Sequence, residues 1–310
     1  MKLLSRSKKE KGWLVMEESP EALKYLHAYA PPGGQASINL WSSVKSEPSA
    51  GALERIAKEK HLDRYRRAVL LRQGDYQLLM VDAPAVPAEE VKSAIRWSLK
   101  DMLDYPVESA TIDVLDIPPP DGAAQRGHSM LAVAAKNETI ETLMKRFEAA
   151  RIPLDVIDIP ETAQRNIAAL YQVPKRGTAL LFLNQDSGLL TINYESDLFL
   201  ARRMDVGIGH IAKYSVENRR EVFERIQIEL QRTFDHFDRQ HAISVAKLLL
   251  GPEPEDTGLE AFLRSNLDVA IERINLADRV QAAAPGGLDA RTQWQIFHLV
   301  GAALREEGRA

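Results

Sequence analysis

A few groupings along the chain have residue types and spacing that could do chemistry. The first is Ser187-Gly188 with Thr191, inside the run LLFLNQDSGLLTINYESDLFL from Leu180 to Leu200. A strand, a polar turn and a second strand can offer hydroxyls and turned backbone amides to a phosphate. A lone Ser-Gly in a hairpin is, however, more often only a turn. The second is Gly207-Ile208-Gly209-His210, which has two of the three glycines of a dinucleotide loop and lacks the third. The third, Asp235, Asp238 and His241, puts metal-ligand types at steps of three on a helix. Such steps drift, so the last residue sits about 120° away from a common line. A solvated helix end beside Arg232 and Arg239 is the plainer reading. Asp113 and Asp116 alternate with apolar Ile112, Val114 and Leu115, as on the wet side of an edge strand. There is no Gly-x-x-x-x-Gly-Lys-Ser/Thr loop, and no Gly-x-Ser-x-Gly turn supports a Ser/His/Asp order. The expectation is therefore no catalytic residue and no metal ligand.

Composition agrees with a plain globular protein. Of 310 residues, 45% are apolar and 27% charged, and the net charge of −4 gives no global pull toward nucleic acid or membrane. No cysteine is present, which removes disulfides and thiolate metal sites. No apolar run approaches the roughly 18 residues of a membrane span. The basic N-terminus, MKLLSRSKKEK, has too short an apolar stretch at Leu3-Leu4 for a signal peptide. It reads as a solvated tail, with weak attraction to an anionic leaflet as the sharper alternative. A cytoplasmic protein is expected.

The elements that must position these residues follow from periodicity and punctuation. WLVMEE and ALKYLHAYA, split by Ser19-Pro20-Glu21, read as a hairpin, and QASINLWSSVK as a third strand after Pro-Pro-Gly-Gly. A helix around 52–61 has Leu53, Ile56 and Ala57 inward, and RAVLLRQGDYQLLMVDAP reads as two strands joined at Gln73-Gly74-Asp75. AEEVKSAIRWSLKDML predicts an amphipathic helix with Val91, Ala94, Ile95, Leu99 and Met102 inward. Strands at ATIDVLDI and SMLAVAAK flank a polar loop at 118–127. The helix NETIETLMKRFEAARI is expected to start at an Asn137 cap, with Ile140, Leu143, Met144 and Phe147 on one stripe. A strand (LDVIDIP) and a helix (ETAQRNIAALY) complete this region. After the turn at 174–177 come the opening hairpin, FLARRMDVG, a long helix over about 217–240, the strand VAKLLLG, a helix, a short strand and a terminal helix. Strands-then-helix recurs in each half, which suggests two related lobes.

Several of these runs resemble the PilM family of type IV pilus assembly proteins, which is actin-like, and most closely its MshI branch from mannose-sensitive haemagglutinin (MSHA) pilus biogenesis. The likeness lies in SRSKKEK before the first strand, in VDAPAVPAEEVKSAIRWSLKDMLDYPVESATIDVLDI, in LDVIDIPETAQRNIAAL, and in IQIELQRTFDHFDRQ, AKLLLGP and VGAALR. It implies an α/β, actin-like (ribonuclease H-like) two-lobed fold with an inserted α/β subdomain in the first lobe. The corresponding division is a basic tail (1–12), a first lobe (13–87), the inserted subdomain (88–173), a second lobe (174–290) and a C-terminal helix returning to the first lobe (291–310). Family members sit at the inner face of the inner membrane, bind the cytoplasmic tail of a bitopic PilN-like protein, and connect it to the assembly motor. Many also bind ATP between the lobes.

Set against the ATP-binding members, this chain departs in four places. The first hairpin has no glycine, Pro20 lacks an N–H, and Glu17, Glu18 and Glu21 add negative charge that opposes a triphosphate. In the second hairpin Phe182 stands where an acid belongs and Asn184 where a glycine belongs, which leaves Ser187, Gly188 and Thr191 as a relic. The glycine pair after the adenosine-side strand is reduced to Gly251-Pro252. Between Gly207-Ile208-Gly209 and the long helix, HIAKYSV is too short for the family's second-lobe subdomain, so that insertion is reduced or missing. The expectation is a non-catalytic scaffold with no cofactor, no metal and no nucleic acid, whose membrane contact is indirect. Its partner would be the PilN-like tail, and possibly the assembly ATPase. Trp97, Tyr105 and Pro106 are the candidates for the partner groove, with Trp97 as a core plug the bland alternative. The rival expectations are an ATP-binding actin-like ATPase of pilus assembly and the cytoplasmic module of a type II secretion platform protein, which normally continues into a membrane helix.

Overall fold

The computed structural model describes residues 9–45, 49–119, 128–214, 218–282 and 287–305. Most of the basic tail, nearly all of the 118–127 loop and the last five residues of the terminal segment lie outside the described residues. The chain forms two compact units, one of residues 1–30, 40–160 and 306–310, the other of 31–39 and 161–305.

The first unit opens with β1 (Trp13–Glu18) and β2 (Ala22–Tyr29), antiparallel, with Trp13 opposite Ala28. The turn closes because the Ser19 amide donates to the Ala22 carbonyl and the Ala22 amide to the Ser19 hydroxyl. Next come β3 (Ala36–Lys45), α1 (Ala50–Lys60) and β4 (Arg66–Leu70), which lies parallel to β1. Ser49 caps α1 by accepting from the Ala52 amide, and Leu53, Ile56 and Ala57 are buried as expected. With β8 (Val156–Asp158) the strand order is β3-β2-β1-β4-β8. The core beneath contains Leu14, Met16, Tyr25, Ile56 and Phe147.

A second, three-stranded antiparallel sheet in this unit has the order β5-β7-β6, from β5 (Tyr76–Asp82), β6 (Ala110–Ile117) and β7 (Ser129–Lys136). The two strands expected around Gln73-Gly74-Asp75 therefore belong to different sheets. The chain changes sheets where Gly74 takes a φ of 100° and the Asp75 amide donates to the Arg72 carbonyl.

Two helices cover this part, α2 (Val91–Ser98) and α3 (Asn137–Ala149). α2 is shorter than its periodicity predicts. The chain turns at Leu99, whose carbonyl accepts from the Met102 and Leu103 amides, so Met102 points outward instead of inward. Met144, placed by its spacing on the inward stripe, is also exposed, because it lies at the stripe's edge between buried Phe147 and half-buried Ile140. Asn137 does not cap α3; it is the first helical residue, and its side chain pairs with the Thr111 hydroxyl instead.

In the second unit, α4 (Pro160–Ala168) leads to three antiparallel strands: β9 (Gly177–Leu183), β10 (Gly188–Tyr194) and β11 (Asp197–Met204). The five-residue α5 (Ile208–Ala212) precedes the long α6 (Arg220–His241). β12 (Val245–Leu250) and β13 (Ala270–Arg273), with α7 (Leu259–Asn266) between them, extend the sheet in parallel to the order β11-β10-β9-β12-β13. β14 (Val280–Ala282) pairs with the start of β3, and α8 (Ala290–Ala303) ends the described chain. α4 and α8 group almost entirely with the second unit.

The two strand orders, β3-β2-β1-β4-β8 and β11-β10-β9-β12-β13, are one pattern used twice. In each, three meandering strands are followed by helix and then by a strand parallel to the first. The duplication read from the sequence is thus the architecture of the chain.

Candidate functional site

The second-unit hairpin is the place to look for phosphate donors, and its groups are largely engaged within the chain. The Thr191 hydroxyl is fully buried and donates to Gln164 Oε1 at 3.0 Å. A Cβ at Gly188 would meet Leu183 Cδ2 at 2.9 Å, which gives this glycine a packing reason. The turn itself is closed by the Asn184 amide donating to the Ser187 carbonyl at 2.7 Å.

The neighbouring glycine loop is packed onto that turn. The Ile208 amide donates to the Asn184 carbonyl at 2.8 Å and the Gly209 amide to the Gln185 carbonyl at 2.7 Å. The Gly207 amide reaches His210 Nδ1 at 3.2 Å, and the His210 amide donates to the Gly207 carbonyl at 3.1 Å. A Cβ at Gly207 would fall 2.5 Å from both the Asn184 carbonyl oxygen and the Ser187 amide nitrogen. These glycines therefore let two pieces of backbone touch. Phe182 stacks on Phe297 with ring centroids 4.5 Å apart.

The remaining chemical candidates resolve into structure. His241 packs its ring against Phe199 and Phe237, while Asp235 and Asp238 are exposed. Among the described residues no group of three His, Cys, Asp or Glu could hold a metal. Asp113 pairs with Lys92 at 2.7 Å and Asp116 with His128 at 2.6 Å; both are exposed, but three residues apart on the regular edge strand β6 they point to opposite faces and do not share one wet side.

The first unit carries a cavity of about 350 Å³ between the ends of β1 and β4 and the first turns of α3. Its charged lining comes from Glu18, Arg72, Asp75, Glu138 and Arg146, with the hydroxyls of Thr139 and Thr142 beside them. β1 delivers Glu18 as its last residue, and the carboxylate, 8% exposed, pairs through Oε2 with Arg146 Nη1. Burial pushes its pKa up, and the attraction of Arg146 only partly opposes this. Arg72 holds Asp75 through Nε at 3.1 Å and Nη2 at 3.3 Å.

None of the three groove candidates lines this cavity. Trp97 is 76% exposed at the end of α2, so it is not a core plug. Its neighbour Arg96 points the other way and donates to the Val107 and Ala110 carbonyls at 2.6 and 3.1 Å. Tyr105 is half-buried with Lys136 over its ring, and Pro106 is exposed where the chain enters a short 3-10 turn at Val107–Ser109. Sequence reasoning missed Arg72, Asp75 and Arg146, and it considered Glu18 only as an obstacle to phosphate. Nothing in one sequence pairs positions 18 and 146; the only hint was an arginine at the edge of an otherwise apolar helical stripe.

No family model matches the sequence, and no curated relative matches it. Solved structures do. A PilM-PilN type IV pilus biogenesis complex aligns with a TM-score of 0.70 at 19% identity, over 94% of this chain and 97% of that one. The cytoplasmic domain of EpsL, an inner membrane component of the type II secretion system of Vibrio cholerae, aligns at 0.51 and 14% identity over 93% and 95%. A Bacteroides thetaiotaomicron protein with an actin-like ATPase fold and unknown function aligns at 0.50 and 11% identity over 89% and 95%. The fold of this chain is actin-like.

Proposed function

We propose that this chain is a non-catalytic scaffold of a type IV pilus assembly platform of the MSHA kind. It holds the cytoplasmic tail of a bitopic PilN-like inner-membrane protein and links it toward the assembly motor. The observation that carries this reading is the alignment, over 94% of the chain, with a chain of a PilM-PilN type IV pilus biogenesis complex. The cavity in the first unit, charged and partly apolar, supplies a place where an extended peptide can seat side chains. The MSHA assignment rests on the sequence runs described above. Attachment at the inner face of the membrane would come through the partner.

The actin-like fold raises the question of ATP, and the residues present fit it poorly. Both hairpin turns spend amides internally, at Ser19 and Ala22 in the first and at Asn184 in the second. The first turn presents Glu17, Glu18 and Glu21, and Phe182 occupies the position of the magnesium-side acid in ATP-binding relatives. The likeness to the EpsL cytoplasmic domain favours a second reading, a module of a type II secretion platform. The partner would then be a secretion component.

Pull-down with the cytoplasmic tail of a bitopic PilN-like protein separates the two. Capture by that tail supports the pilus scaffold. Failure to capture it, with capture of a type II secretion component instead, replaces the first reading with the second. Trp97→Ala and Tyr105→Ala, checked for folding, report whether the surface at the end of α2 takes part.

A further inference from the structure

We propose that Glu18 selects what enters the first-unit cavity by accepting a charged hydrogen bond from a Lys or Arg side chain of the bound tail. This rests on the tail-binding reading above and goes on to name the chemistry of the occupant. Glu18 is nine-tenths buried at the end of β1, and its two carboxylate oxygens are unequal. Oε2 meets Arg146, whereas Oε1 is buried and has no hydrogen-bond partner. A buried carboxylate oxygen without a donor is rare in folded proteins and marks a place where a donor is wanted.

The charges around the cavity decide the sign of the occupant. Each lining guanidinium already has a carboxylate, Arg146 with Glu18 and Arg72 with Asp75. Glu138, at the start of α3, has no ion pair among the described residues. The surplus is acidic, so an anionic side chain is repelled and a cationic one attracted. Leu71 and Leu143 give an apolar wall for the aliphatic stem of a lysine or arginine. The cytoplasmic flank of a membrane span is enriched in Lys and Arg, so a tail of the proposed kind brings the donor with it.

The test is fluorescence anisotropy on the full chain. The probe is a labelled peptide copying the cytoplasmic tail of a bitopic PilN-like protein, with copies in which each Lys or Arg is singly replaced by Gln. One replacement is expected to weaken binding to the wild type by about tenfold or more. Glu18→Gln should weaken the parent peptide by a similar factor and leave the weakened copy unchanged, which shows that the two groups act on each other. Equal binding of the parent peptide by wild type and a folded Glu18→Gln variant overturns the inference. So does a set of replaced peptides that all bind the wild type like the parent, a result that does not depend on the variant folding. If the parent peptide fails to bind the wild type at all, the tail-binding reading falls first and this inference falls with it.

Discussion

Gly301 on α8 lies so close to Ala163 on α4 that a Cβ on the glycine would sit 2.2 Å from the Ala163 carbonyl oxygen. The crossing is locked by Asn166 Nδ2, which donates to the Gly301 carbonyl at 2.9 Å. Real Cβ atoms do not approach carbonyl oxygens this closely, so any side chain at 301 must push the two helices apart. Gly301→Ala should destabilise the protein by about 1–3 kcal/mol, since overpacking a tight contact outweighs the helix propensity gained. A thermal melt checks this. An unchanged or raised midpoint would mean that the helices separate freely.

Beside that crossing, Gln164 is fully buried; its Nε2 lies 3.3 Å from His298 Nε2, and the side chain serves two further partners. Its Oε1 accepts from the Thr191 hydroxyl, and its Nε2 donates to the Leu189 carbonyl at 3.3 Å. Gln164→Leu keeps most of the volume but strands a buried hydroxyl, at about 1–3 kcal/mol. Thr191→Val in the same chain removes the stranded group and should recover part of the loss. A double-mutant cycle measured by denaturant unfolding reads this coupling directly; additive effects would show that the two side chains do not depend on each other.

Two imidazoles make stability depend on pH in the same direction. Burial lowers the pKa of His27, opposed in part by the Lys11 carbonyl it bonds at 3.0 Å. Burial, with help from His236, lowers that of His241. A histidine whose folded value lies below its ordinary 6.5 contributes stability that is complete above 6.5 and is lost as pH falls from there through the folded value. Each contributes at most about 1.4 kcal/mol per pH unit across that window. Unfolding midpoints should fall between pH 7.5 and 5, and His27→Gln should flatten the slope. A slope unaffected by either histidine would place the dependence elsewhere.

Asp155 acts at the acid end. Burial works to raise its pKa, but Lys9 Nζ at 2.8 Å and the Arg67 amide at 2.8 Å outweigh it and hold the carboxyl below its usual range. The stability it contributes is present above about pH 4 and is lost as pH falls through the lowered value. Asp155→Asn keeps the shape but loses the charge, and it should cost roughly 1–2 kcal/mol at pH 7 and little at pH 3. Equal losses at both pH values would mean that the charge does not matter.

What the sequence revealed, and what it hid, divides along the range of the interactions. Strand-then-helix punctuation exposed the recurrence of strands and helix in each half, though not the strand order, because hydrophobic runs and turn residues act over a few positions. Ser19-Pro20-Glu21 and the α1 face at Leu53, Ile56 and Ala57 came out as read. Local pattern failed where a helix stopped, so Met102 was carried inward by a periodicity that the turn at Leu99 interrupts. It failed also where pairing is distant. β5 takes its partner β7 from more than a loop away, with Tyr76 opposite Ala135. The cavity was the least legible feature, because it is assembled from the tips of two strands and one helix, and only folding brings Glu18 to Arg146.

The same local rules bear on nucleotide. A triphosphate needs free amides and a metal-side acid, yet the loop from Gly207 to Ile211 has its amides bonded to Asn184, Gln185, His210 and Gly207 itself. Freeing them would break the seam between that loop and the hairpin turn. We therefore expect no thermal shift with millimolar Mg-ATP, whereas a site filled at 100 times its Kd would stabilise the protein by about 2.7 kcal/mol. At about 2–4 °C per kcal/mol for a domain of this class, such an effect is easily seen in a melting scan. A reproducible rise of that size, abolished by EDTA, would show that the seam opens and that the chain keeps a working nucleotide site.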